Sequence, residues 1–183
     1  GSEMCIRDSG YTAASKADQL SVLVNNAMMT AISNYVAQNF GAGKKDRIRL
    51  GVRASLIQTE AFNILMCIGI LLLRHPIVEL FLSNPTAEIY HYSDVFLTIE
   101  APFYFLLGLL AVYRTSIQSM QNGRAPFAAC MIELVMRLAA TVWLSRFLGY
   151  TAVCIASPLA WFGAVALLIP VYYRMMMKPV KTV

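Results

Sequence analysis

The chain has 183 residues, 58% of them hydrophobic and 14% charged, and its mean hydropathy is +0.58. Because an ordinary soluble domain is about 45–50% apolar and about 25% charged, a water-soluble surface could not cover this composition. The net charge of +5 could favour nucleic acid, but in a membrane protein such charge marks cytoplasmic loops. The composition therefore predicts a membrane protein whose partner is the lipid bilayer and not nucleic acid.

The chain begins with GSEMCIRDS, a polar stretch without the apolar core of a signal peptide. We expect residues 1–9 to be a non-native-looking or disordered tail. Five apolar segments follow, at about 12–40, 54–73, 93–118, 126–147 and 151–173. Each is near or above the roughly 20 residues that cross a bilayer as a helix. Membrane β-strands would alternate over about ten residues, so the sequence predicts an all-α, polytopic transmembrane bundle of about five helices.

The first break, QNFGAGKKDRIRLGVR at Gln38–Arg53, has the glycines and lysines of a phosphate-binding loop but not the spacing. In the pattern G-x-x-x-x-G-K-[ST], Gln38 would replace the first glycine and Lys45 the hydroxyl residue. We therefore interpret Gly41 and Gly43 as a helix stop, followed by a basic loop that connects two helices.

Three further breaks separate the other segments. In the second break, Asn84 and Pro85 could begin a helix, and Pro76–Leu82 could form a short interfacial helix. MQNGRAP forms the third break, and LGY predicts a tight turn before the last segment.

Basic residues are unevenly distributed among these connections. The first loop, the third loop and the tail would lie on one side of the membrane and hold Lys44, Lys45, Arg47, Arg49, Arg53, Arg124, Arg174, Lys178 and Lys181. Because lysine and arginine concentrate in cytoplasmic loops, we expect a multi-pass protein of the inner (plasma) membrane with a cytoplasmic C-terminus. Five helices would then put the N-terminus outside, which indicates that a front portion is missing.

No catalytic or metal-binding pattern is found in the sequence. The four cysteines form no C-x-x-C pair, and His75 and His91 have no cysteine nearby. The sequence also lacks H-E-x-x-H and G-x-S-x-G. We therefore predict that the protein is not an enzyme and binds no metal.

Polar residues recur inside the apolar segments, where they usually face the bundle interior or a wet cavity. The third segment carries a stripe within an arc of about 80°, made of Glu100, Tyr104, Leu107, Ala111, Arg114 and Gln118. Pro102 lacks an N–H and would leave the carbonyl of Thr98 without its usual donor, which would loosen the helix around Glu100.

The other segments add further candidates. Glu133 and Arg137 form an i, i+4 pair that either lines a cavity or neutralises itself and holds helices together. Glu60 and Asn63 lie one turn apart. The candidate residues for a substrate cavity are Asn26, Glu60, Asn63, Glu100, Tyr104, Arg114, Gln118, Glu133 and Arg137.

Several stretches together resemble the multidrug and toxic compound extrusion (MATE) family. They are YTAASKADQL, YVAQNFGAGKKDRIRLGVR, APFYFLLGLLAVYR with IQSMQNGRAP, and MIELVMRLAATVWLSRFLGYTAVCIASPLAWF. The chain looks like helices eight to twelve of that family, which implies a fragment of a twelve-helix, two-lobe transporter. Residues 10–177 would be a partial C-terminal lobe and residues 178–183 a cytoplasmic tail. The family expects a glycine where Asn122 stands.

The resemblance implies an antiporter that exports cationic or organic compounds in exchange for protons or sodium. Its partners would be such small molecules and the missing N-terminal helices of the same protein. The principal coupling carboxylates of the family lie on helices one and seven, so this chain would not contain them, and no cofactor beyond the coupling ion is implied.

Two alternatives stay open at this point. A relative that flips lipid-linked oligosaccharides shares the architecture and would favour a more basic lining, because its cargo carries pyrophosphate. A non-transporting membrane scaffold would instead pair Glu60 and Glu100 with neighbouring helices and have no wet cavity.

Overall fold

The structure is a computed structural model that describes the backbone of residues 2–81 and 87–177 and the side chains of 19, 22–73, 75, 76, 79 and 87–177. Its α-helices are α1 (Ser2–Gly41), α2 (Lys45–Phe81), α3 (Ala87–Glu100), α4 (Tyr104–Ser119), α5 (Arg124–Ala139), α6 (Ser145–Leu148) and α7 (Tyr150–Met177). A 3₁₀ turn, Ala101–Phe103, joins α3 to α4, and a π-helical segment, Ala140–Leu144, joins α5 to α6. No strand forms in the described ranges, which confirms the all-α class.

Four stretches are long and apolar enough to cross a membrane: Lys45–Leu73, Ala87–Ser119, Arg124–Leu148 and Tyr150–Met177. They correspond to the second to fifth predicted segments and confirm a polytopic helical membrane protein. The described part of α1 is not among them, because amides and one serine interrupt its apolar residues between positions 25 and 39. The packing of α1 against α2, α3 and α4 nevertheless makes it part of the bundle.

The turn between α1 and α2 is shorter than predicted. Gly43 has a φ of +69°, and its N–H donates to the carbonyl of Phe40 at 3.0 Å, while the N–H of Lys44 donates to Asn39 at 2.9 Å. These two bonds form a Schellman motif, which confirms the predicted glycine stop. The prediction of a basic loop up to Arg53 is wrong, because α2 begins at Lys45.

The basic stretch is helical because it has a buried face. Ile48 and Val52, one turn apart, are fully buried, whereas Arg47, Arg49 and Arg53 are exposed. This periodicity belongs to an amphipathic helix whose apolar side contacts the bundle.

Two basic side chains at the start of α2 bind the end of α7. The Lys45 Nζ donates to the carbonyl of Met175 at 2.8 Å, and the Arg49 Nη2 donates to that of Met176 at 3.2 Å. Cations at a helix C-terminus satisfy carbonyls that lack intrahelical donors and complement the helix dipole. The start of α2 and the end of α7 therefore lie at the same end of the bundle, as the charge distribution predicts.

The second predicted segment also extends further than expected. Instead of ending at Leu73 before a separate interfacial helix, α2 continues through Pro76 to Phe81. Proline removes one hydrogen bond from the ladder, and here the helix continues despite that loss. The predicted helix start at Asn84–Pro85 and the tail at 178–183 lie outside the described residues.

The third and fourth predicted segments are interrupted in the structure. The helical phase changes at the 3₁₀ turn that contains Pro102, where the sequence predicts a loosened backbone. The π-helical segment interrupts what the sequence predicts as one continuous helix over 126–147. Between α6 and α7, Gly149 has a φ of +54° and forms the predicted tight turn.

The turn between α4 and α5 shows what replaces the expected glycine at Asn122. The left-handed residue of this turn is Gln121, with a φ of +62°. The Asn122 side chain accepts a hydrogen bond from the N–H of Ala125 at 3.4 Å. Asparagine therefore caps the first turn of α5, a role that glycine could not fill.

The helices divide into central and peripheral ones. Half of the residues in the most apolar stretches of α3–α4 and of α7 are buried, against 17% for α2 and 11% for α5–α6. The peripheral helices expose large apolar side chains, among them Ile64, Leu65, Leu72, Val135 and Trp143. Surfaces of this kind suit lipid or other apolar helices and not water.

Candidate functional site

A half-open cavity of about 220 Å³ lies between α1 and α4. Its lining consists of Val22, Asn25, Asn26, Met29, Leu107, Leu110, Ala111, Arg114 and Thr115. The four residues from α1 follow the spacing i, i+3, i+4, i+7, and so do the first four from α4. This spacing puts each set on one helical face, so two facing stripes enclose the cavity, which we call the α1–α4 pocket.

Arg114 brings a positive charge to the pocket, and α5 supplies its counter-charge. Its Nη2 forms an ion pair with the Oε1 of Glu133, while its Nε has no hydrogen-bond partner among the described residues. The predicted partner of Glu133 is Arg137, so this pairing is a correction. Arg137 is exposed and forms no ion pair within the described part of the chain. Glu133 has Arg114 of the neighbouring helix within reach, and this pair links α4 to α5.

A chain of amide hydrogen bonds joins three helices behind the pocket. The Nδ2 of Asn25 donates to the Oδ1 of Asn63 at 3.2 Å, and the Nδ2 of Asn63 donates to the carbonyl of Tyr104 at 3.1 Å. Asn25 and Asn63 are both almost fully buried. Because buried amides are costly unless they are hydrogen-bonded, this chain fixes the register of α1, α2 and α4.

Glu60 lies one turn before Asn63 on α2 and faces α4. Both of its carboxylate oxygens are shielded from solvent and have no hydrogen-bond partner among the described residues. A Cβ on Gly108 would lie 2.6 Å from its Oε1, so the carboxyl group packs directly against the α4 backbone. Glycine at position 108 allows this approach, since a Cβ there would require the neighbouring side chains to move.

The structure brings together some of the predicted residues and separates others. Asn26 and Arg114 line the pocket, with Leu107 and Ala111 of the predicted stripe. Glu133 is linked to the pocket by its ion pair with Arg114. Asn63, Tyr104 and Glu60 form the layer behind it. Glu100 is buried at the end of α3 outside the lining, and Gln118 and Arg137 are exposed.

The break in the predicted stripe has a geometric cause. A 3₁₀ helix turns about 120° per residue and an α-helix about 100°. Three residues of 3₁₀ helix at Ala101–Phe103 therefore rotate the following face by about 60° relative to Glu100. The predicted stripe treats the third segment as one continuous α-helix and therefore does not include this rotation.

Sequence reasoning missed Asn25 and Thr115 as pocket residues. Asn25 precedes Asn26 and stands four residues before Met29, so the helical spacing of polar and apolar residues was the available signal. Thr115 had no such signal in the sequence, because a threonine near a helix end is common on any face of the helix.

The fold and the pocket together define the class of protein. It is a polytopic helical membrane protein with a mostly apolar cavity between its helices that also holds amides and an arginine, an arrangement typical of transporters. The profile of the family described as MatE matches residues 9–143. The chain therefore belongs to the MATE family of membrane transporters.

A curated relative and the solved structures add less detail. The chain is similar to a protein of Shewanella oneidensis named "FAD transporter", with 20% identity over 150 residues. The match covers 81% of this chain and 33% of the relative, so the chain spans about a third of the relative's length. No solved structure matches the chain.

Proposed function

We propose that this chain forms part of an antiporter that exports cationic or other organic compounds in exchange for protons or sodium. The observation that carries the proposal is the α1–α4 pocket, a mostly apolar cavity with a few polar side chains between helices of a MATE-family chain. We assign the chain no catalytic activity. The remaining helices of the transporter, the coupling ion and the position in the inner membrane with a cytoplasmic C-terminus belong to the same proposal.

The lining of the pocket suits an organic molecule. Val22, Met29, Leu107 and Leu110 offer apolar contact, and the amide of Asn26 offers both a donor and an acceptor. Drug-sized ligands usually occupy cavities of about 300–1,000 Å³. Since the pocket holds about 220 Å³ and is half-open, the proposed remaining helices would complete it.

The charge of the pocket favours cationic over anionic cargo. Arg114 would attract phosphate strongly if it were unpaired, but Glu133 neutralises most of its charge. A cation can then approach the amide oxygens and apolar lining without opposing a full positive charge. This balance is the physical reason for placing a cationic compound first.

A second candidate has one observation in its favour. The Nε of Arg114 has no hydrogen-bond partner in the described part of the chain, and the Shewanella relative is named "FAD transporter". A phosphate-bearing compound, whether a flavin nucleotide or a lipid-linked sugar, could accept that hydrogen bond. For either phosphate-bearing cargo, we expect loss of the Arg114 charge to weaken transport. For a cationic cargo, we expect transport to be maintained.

The test uses the full-length protein that contains this chain, reconstituted in vesicles with a cationic dye as substrate. We expect Asn26→Ala to raise the KM for the dye about fivefold, the equivalent of one lost hydrogen bond of about 1 kcal/mol. The matched control is Asn34→Ala, because Asn34 is an exposed asparagine two turns further along α1 and outside the pocket. An unchanged KM in Asn26→Ala would contradict the pocket assignment.

Arg114→Gln decides the charge of the cargo. Dye transport that is maintained or increased supports a cationic substrate. The phosphate-bearing alternative would replace our proposal under two conditions together. The unsubstituted protein would transport a flavin nucleotide but not the dye, and Arg114→Gln would lose the transport of the flavin nucleotide.

A further inference from the structure

Glu60 is the ionisable group that the amide chain and the ion pair leave unused. Its two carboxylate oxygens are closed off from solvent, and no described residue forms a hydrogen bond or an ion pair with them. The neighbouring Asn63 side chain accepts from Asn25 and donates to Tyr104, and its remaining N–H forms no hydrogen bond with Glu60 among the described residues. Nothing in this arrangement balances a negative charge at Glu60.

An ionised carboxylate in such a place is strongly unfavourable. Transfer of an unpaired charge from water to an apolar interior is so costly that the group neutralises instead, and the bilayer increases this penalty. A carboxylic acid avoids the charge because its proton is bound covalently. We propose that Glu60 is a proton-binding site, occupied by a proton in the conformation in which it packs against Gly108.

Among the side chains that the structure describes, the charged and titratable groups on the helices around α2 do not offer an alternative counter-ion. On α1, Tyr35 donates to the carbonyl of Arg47, about 20 Å along α2 from Glu60. On α3, Asp94 pairs with His75, about 22 Å away in the other direction. The titratable groups of α4 are Tyr104, Tyr113 and Arg114, of which Arg114 already binds Glu133, and α3 ends in another acid, Glu100.

The contact with Gly108 gives the proton a structural consequence. In the protonated state, the carboxyl group can lie against the α4 backbone, with its Oε1 2.6 Å from the position of a Gly108 Cβ. Loss of the proton would put an uncompensated charge at the α2–α4 contact. Ionised Glu60 therefore requires either that water enters this contact or that a cation does, and both loosen the packing of α2 on α4.

This inference rests on the proposed function in one respect only. If the chain belongs to an antiporter, Glu60 would be a place where protonation and helix packing are linked. The protonation of Glu60 itself is measurable without transport, so failure of one proposal can be told from failure of the other. Absent dye export would count against the antiporter, and an ionised Glu60 would count against the proton site.

The direct test is infrared difference spectroscopy of the full-length protein in lipid nanodiscs at pH 7. Wild type minus Glu60→Gln should show the C=O stretch of a protonated carboxylic acid, shifted by exchange into D₂O. The matched control is wild type minus Glu88→Gln, since Glu88 is an exposed glutamate on α3 and should show carboxylate bands alone. Carboxylate bands for Glu60 would overturn the proposal.

Two further measurements complete the test. Addition of sodium should leave the Glu60 acid band unchanged, and conversion to carboxylate bands would identify a sodium site instead of a proton site. If Glu60→Gln does not fold, the wild type alone decides, because carbodiimides modify protonated carboxyl groups. Mass spectrometry should then find the adduct at Glu60 and not at Glu88, and any other distribution contradicts the proposal.

Discussion

At the scale of single residues, the contact between Glu60 and Gly108 determines how closely α2 and α4 approach. A Cβ at position 108 would meet the Oε1 of Glu60 at 2.6 Å and the Nδ2 of Asn63 at a still shorter distance. The Glu60 side chain could rotate away, but Asn63 is held by two hydrogen bonds. A methyl group at this position must therefore disturb the amide chain.

We expect Gly108→Ala to lower the free energy of unfolding of the full-length protein by about 1–3 kcal/mol, the usual range for overpacking. The control is Gly69→Ala on α2, where a Cβ would meet nothing within 4 Å. This control should change stability by no more than about 1 kcal/mol, in the stabilising direction, because alanine favours helix more than glycine does. Equal thermal unfolding curves for the two variants would show that Gly108 does not determine the approach.

At the scale of secondary-structure elements, the Arg114–Glu133 pair joins α4, which is central, to α5, which is peripheral. The alternative pair within α5, Glu133 with Arg137, would leave α4 and α5 without this link. The structure separates the two possibilities, since Arg137 is exposed and Arg114 is three-quarters buried.

A double-mutant cycle measures this link. For Arg114→Met with Glu133→Gln, we expect a coupling of about 1–3 kcal/mol in the free energy of unfolding, as found for residues in direct contact. The same cycle for Arg137→Met with Glu133→Gln should give less than about 0.5 kcal/mol. A larger coupling for Arg137 than for Arg114 would restore the pairing within α5.

At the scale of the whole molecule, Lys45 and Arg49 bring the start of α2 to the end of α7. The basic residues at this end would be attracted to the anionic cytoplasmic leaflet. The hydrogen bonds establish that both ends share one side, and the charge rule proposes which side that is.

Cysteine labelling in intact cells measures which side of the membrane each end of the bundle lies on. The background protein has Cys5, Cys67, Cys130 and Cys154 replaced. We expect a cysteine at Lys45 to resist an impermeant thiol reagent and one at Ala87, the first residue of α3, to react. After membrane disruption both should react equally, which controls for buried thiols. Labelling at Lys45 alone in intact cells would reverse the orientation.

The sequence by itself determined the class of the protein and the positions of its apolar segments. Apolar segments of about 20 residues can satisfy their backbone only as helices in a bilayer, so length and hydropathy are sufficient for that prediction. Glycines at 43 and 149 determined two turns, since positive φ angles suit glycine. Asn26 and Arg114, which the sequence proposed for a cavity because polar side chains in such segments have few other places, line the α1–α4 pocket.

The tertiary structure alone decided which polar groups meet. The partner of Glu133, the separation of Glu100 from the pocket and the isolation of Glu60 depend on helix packing and on the rotation at Ala101–Phe103. A helical projection contains neither the neighbouring helix nor this rotation. The helical start of α2 at Lys45 had the same origin, since its buried face exists only where Ile48 and Val52 contact the bundle.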